Sequence, residues 1–159
     1  MPTITISGTP IEFPNTATSP DWSESVIQFA EAVELALQSA IGEFDVPPQV
    51  FTLPNNVNTN LDLPNLSFST TEVRSVTIEF AVFRSTDSNI TEAKGRLNML
   101  FDDDSNNWLL QREDDVGNIT SEVTFNVTNQ GQVQISTTSL VGTNYQGVIS
   151  YSAEALQKS

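Results

Sequence analysis

The sequence predicts a mainly β fold, an antiparallel β-sandwich or jelly roll preceded by an extended arm and one long amphipathic helix. Three observations lead there. From Val73 onward, apolar and polar side chains alternate over short stretches, the period of a half-buried strand. Short polar turns such as TDSN, DDDSNN, DDVGN and NQG separate those stretches, with the residues that hairpin connections favour. A helical period occurs in a single segment near the start.

Taken in order, Thr3 to Gly8 (TITISG) alternates and predicts a short strand. The following TPIEFPNTATSP carries Pro10, Pro14 and Pro20, which block regular pairing, and reads as an extended arm. A helix is then expected up to Gly42. Ser19 or Asp21 can cap it, Pro20 suits its first position, and Asp21 and Glu24 have capping-box spacing. Trp22, Val26, Phe29, Val33 and Leu37 belong to one apolar stripe that also takes in Ala30, Ala36, Ala40 and Ile41. Glu24, Glu31 and Glu34 fall on the other side, and Gly42 is a natural stop. The stripe suits either packing against a β surface or an oligomer seam. Its bulky Trp22 and Phe29 favour a β surface, its own or a neighbour's.

Residues 1–45 therefore read as an N-terminal arm and helix for docking or oligomerisation. Residues 46–72 are rich in Pro and Asn and read as a linker that becomes an edge strand. Residues 73–159 read as the antiparallel sandwich. Its strands are expected around Val76–Arg84, Lys94–Phe101, Trp108–Glu113, Val123–Val127, Gln132–Thr137 and Tyr145–Leu156.

Composition narrows the function. The net charge is −14, and no base precedes Arg74. A protein that neutralises phosphates needs Lys and Arg, so nucleic acid is not an expected partner, and acid repels anionic lipid. The chain has no Cys and no His. Thiol chemistry, the Ser-His-Asp triad and most zinc or iron sites are thereby excluded. The expectation is a non-enzymatic protein without a cofactor. No basic-then-apolar leader opens the sequence, and no apolar run reaches the ~18 residues of a membrane span, so synthesis in the cytoplasm is expected.

One stretch has the spacing of a metal loop. With Asp102 as position one, Asp104 is third, Asn106 fifth and Glu113 twelfth, as the oxygen ligands of an EF-hand are spaced. The flanks read as strands, where an EF-hand needs helices. The stretch is therefore expected to be a solvated turn, with calcium as the alternative. Glu113 and Asp115 could be paired for glycoside hydrolysis, but nothing nearby would raise the pKa of either. The sequons at Asn65, Asn89, Asn118 and Asn126 fit an Asn/Thr-rich β surface.

Two stretches carry a resemblance. FPNTATSPDWSESVIQFAEAV resembles the N-terminal region of virion structural proteins of tailed bacteriophages, where a Pro-rich arm leads into one amphipathic helix. GQVQISTTSLVGTNYQGVISYSAEAL resembles the last two strands of the jelly-roll heads of phage fibre-like and decoration proteins. With VRSVTIEFAVFR and GRLNMLFDDDSNNWLL the likeness spans about two-thirds of the chain. It rests on pattern, and it brings no catalytic residues. It implies a virion location, a homotrimer, and a major capsid or other virion protein as partner. The short arm and the lack of a repeat shaft suit a capsid decoration (cement) protein. The alternatives are a tail-fibre or receptor-binding subunit and a carbohydrate-binding β-sandwich module.

Overall fold

The computed structural model describes residues 3–6, 9–12, 26–34, 42–117 and 122–158. The chain forms two compact units, Met1–Glu43 and Phe44–Ser159.

In the first unit, β1 (Thr3–Ile6) and β2 (Thr9–Glu12) pair antiparallel, with Thr3 opposite Glu12 and Ile6 opposite Thr9. The start of the expected arm is thus half of a hairpin. A hairpin edge can accept a proline, which explains Pro10 within β2. The helix α1 is described over residues 26–34. The rest of the expected helix, including its caps and its C-terminal turns, lies outside the described residues.

The second unit is built from β3 (Val46–Thr52), β4 (Leu61–Ser67), β5 (Val73–Ser85), β6 (Ile90–Asp102), β7 (Asn107–Gly117), β8 (Val123–Val127), β9 (Gln132–Thr137) and β10 (Gln146–Gln157). All its pairings are antiparallel. Five strands form one sheet in the order β3-β10-β5-β6-β7, and three form another in the order β4-β9-β8. The pairs β3–β10 and β4–β9 are nested, so the ribbon that leaves one sheet as β3–β4 returns alongside itself as β9–β10. Strands β5, β6 and β7 run as a simple meander.

Both sheets contribute to one core. Val76, Ile78, Phe80 and Val82 point inward from β5, and Leu97, Met99 and Phe101 from β6. The smaller sheet answers with Leu63, Leu66, Val123, Phe125, Val133 and Ile135. The Phe80 and Phe125 rings meet across the core at 4.7 Å. The Arg112 guanidinium lies over both, 5.3 and 5.4 Å from their centroids, a cation–π arrangement at the sheet margin. Tyr151 donates from its hydroxyl to the Pro64 carbonyl at 2.8 Å, tying β10 to the irregular middle of β4.

The Pro- and Asn-rich stretch 46–72 is more than a linker. It supplies an edge strand to each sheet, and Leu53, Leu63, Leu66 and Phe68 are buried in the shared core. Proline is tolerated there because an edge strand leaves backbone positions unpaired.

Candidate interaction surface

The acid turn was the sharpest local motif in the sequence, and the hairpin register takes it apart. Asp102 pairs with Asn107 at the end of β6 and β7, so residues 103–106 make a tight connection. Glu113 sits opposite Arg96, six residues further along β7, roughly 20 Å away at the rise of a strand. Asp102, Asp104, Asn106 and Glu113 therefore cannot surround one cation.

The turn has a different organisation. Asp102 accepts from the Asp104 amide at 3.1 Å and from the Ser105 hydroxyl at 2.7 Å, which together hold its carboxyl below the usual carboxylate range. Asp103 accepts from Lys158 Nζ at 2.6 Å and from Arg74 Nη1. Asn106 takes the left-handed position of the turn, with φ +51°, a conformation asparagine tolerates well. No cluster of three or more His, Cys, Asp or Glu that could hold a metal occurs among the described residues. The side chains of Asp114 and Asp115 lie outside the description.

The predicted interface stripe is partly visible. Trp22 and Leu37 lie outside the described residues. Val26 and Phe29 are exposed on α1, with Ile27 beside them, while Val33 is half-buried. Ala32, which the stripe left out, is buried.

A surface that the sequence reading passed over lies on the outward side of the five-stranded sheet. Alternation sends Val76, Ile78, Phe80 and Val82 of β5 inward, and so sends Ala81 and Phe83 outward. The register sets their neighbours in rows. One row runs Thr52, Val148, Phe83 and Glu92, and the next runs Val50, Ser150, Ala81, Lys94 and Val116. All of these except Thr52 line a shallow trough of 410 Å³. Val50 and Val116 are 76% and 71% exposed. Below it comes a polar band containing Glu79, Arg96, Ser152 and Glu154, in which Arg96 pairs loosely with Glu79 at 3.3 Å. Lys94 makes no ion pair among the described residues. The signal was present in the sequence, because EFAVF is apolar on both faces of a strand. A half-buried strand would alternate.

The loops at one end of the second unit are cross-linked. Asn55 donates to the Leu140 carbonyl and accepts from its amide, at 3.1 and 2.8 Å. Asp87 accepts from the Thr143 hydroxyl and amide, and those bonds lower its pKa. Beneath them Arg84 is fully buried and donates to Asn55 Oδ1, the Thr138 carbonyl and the Tyr145 hydroxyl. Val141 and Ile90 are exposed at this end.

No protein-family model matches the chain, and no curated protein matches it. Among solved structures it is similar to the Acinetobacter phage vB_ApiP_P1 tailspike protein, with a TM-score of 0.40 and 10% identity. The match covers 69% of this chain and 22% of that one. A likeness of that size carries no argument about this chain. No helix among the described residues is long and apolar enough to cross a membrane.

Proposed function

We propose that the chain is a non-enzymatic structural protein of a phage virion, and specifically a capsid decoration protein. In this reading the second unit is a β-sandwich head displayed as a homotrimer. The arm and helix of the first unit dock it on the major capsid or another virion protein.

The docking role is supported by Val26 and Ile27, which are both 56% exposed on α1. Apolar helix surface of this kind suits burial against another protein. The virion itself rests on the resemblance of the arm–helix stretch and of the last two strands. The lack of Cys and His, and the separation of the acid residues, support a role without catalysis.

The test is co-sedimentation of the purified full chain with virions of the phage that encodes it, against the Trp22→Ala, Phe29→Ala double variant. Saturable binding that the double variant loses is the expected result. Equal binding by both would assign α1 to internal packing. A tail-fibre or receptor-binding role is a second reading, favoured by the cross-linked loop end that holds Val141 and Ile90 outward. Labelling confined to tails would select it.

A further inference from the structure

We propose that the outward face of the five-stranded sheet is a two-fold contact between copies of this chain, separate from the helix. The two rows of the trough are complementary to each other. A two-fold axis lying in the face, perpendicular to the strands and between the rows, sets each row of one copy over the other row of its neighbour. Strand β6 then lies over β6, and β5 over β5. Phe83 stacks on the small Ala81 of the other copy, and Val148 on Ser150. Lys94 meets Glu92, twice by symmetry. Large faces small and base faces acid at each of these places, as an isologous interface requires.

Charge also selects this face. Copies carrying −14 each repel, so self-association is least opposed where the surface is balanced. The two rows contain one acid and one base, Glu92 and Lys94, and sum to zero. The two rows, across strands ~4.8 Å apart, cover about 300 Å² per copy. Counted over both copies, that is about 600 Å², a small contact, so the association is expected to be weak and concentration-dependent. Sheets stacked in this way sit ~10 Å apart, which a phenylalanine over an alanine fills.

Native mass spectrometry of the full-length chain over a concentration series tests this, because symmetry fixes the parity of the copy number. The face requires an even number. Helix-mediated trimers joined through it give six copies, and loss of the helix contact leaves two. Phe83→Glu should halve the assembly while leaving its melting temperature unchanged, since Phe83 faces outward. Lys94→Glu should weaken the contact by about tenfold or more, and adding Glu92→Lys to it should restore the wild-type mass. This charge exchange decides the matter even if Phe83→Glu fails to fold. A monomer or an odd assembly at every concentration would overturn the contact. So would an even assembly indifferent to both Phe83→Glu and Lys94→Glu. Failure of the helix docking reading alone leaves the dimer and its charge exchange intact, so the two outcomes are separable.

Discussion

At the scale of single residues, the second unit depends on a few side chains whose surroundings admit no easy substitute. Arg84 is buried and spends its donors on Asn55, Thr138 and Tyr145 across three segments of chain. Replacing it by Met leaves those acceptors without their donor in a dry place, at a cost of about 2–4 kcal/mol. Urea denaturation measures this, and a loss below 1 kcal/mol, roughly that of an ordinary hydrogen bond, would mean water takes the donor's place. Gly131 closes the β8–β9 turn at φ +87°, and a Cβ there would strike the Phe68 carbonyl. Gly131→Ala should cost about 1–3 kcal/mol, seen as a lower denaturation midpoint with an unchanged slope. Tyr151 has its pKa raised above 10.0 by burial. The unfolded chain therefore ionises first, and stability should fall as pH rises past that value.

At the scale of elements, loops and hairpins separate what spacing suggests from what register allows. The ligand-like series Asp102, Asp104, Asn106 and Glu113 fails because β7 carries Glu113 away from the turn at the strand rise. The melting temperature should accordingly be the same in calcium and in EDTA, for the wild type and for Asp104→Ala. A calcium-dependent rise lost in the variant would contradict the register. The Asp87–Thr143 link has a defined pH window. Hydrogen bonds from Thr143 hold the folded pKa of Asp87 below 3.8. The link therefore stabilises fully above that value and is lost as pH falls through the lower, folded one. Amide protection factors in residues 138–145, which remove the intrinsic pH dependence of exchange, should be flat down to mildly acidic pH and fall only below it. The strands from Val73 on were legible because alternation and turn chemistry agreed there, as in QVQIST, which is β9. Strands β3 and β4 were less legible, since Pro47, Pro48 and Pro64 mask their pattern and only edge positions can hold them. The outward trough was written in EFAVF. Ala81 and Phe83 fall on the face that alternation assigns to solvent, so their apolar character stands out only when that face is read by itself. The stripe of Val26, Phe29 and Val33 was legible as a helix, but a helical period does not state what covers it.

At the scale of the whole molecule, the second unit is two antiparallel sheets on one core, and stability should track that core. Ile135 is fully buried on the central strand of the smaller sheet, so Ile135→Ala should cost about 2–5 kcal/mol. The same exchange at exposed Ile90 should cost little, and calorimetry of the pair compares them directly. Among the described residues, apolar surface outside the core includes Val26 and Ile27 on α1 and Val50, Phe83 and Val116 on the outward trough. Exposed apolar surface of this kind fits the proposed assembly role. The central claim is that the helix stripe joins copies of this protein in threes and docks them. It is tested most directly by the native mass of the full-length wild type beside that of the Trp22→Ala, Phe29→Ala variant. The account predicts a wild-type copy number divisible by three, and a variant from which that factor of three has gone. A wild type without the factor, or a variant with an unchanged mass, would contradict it.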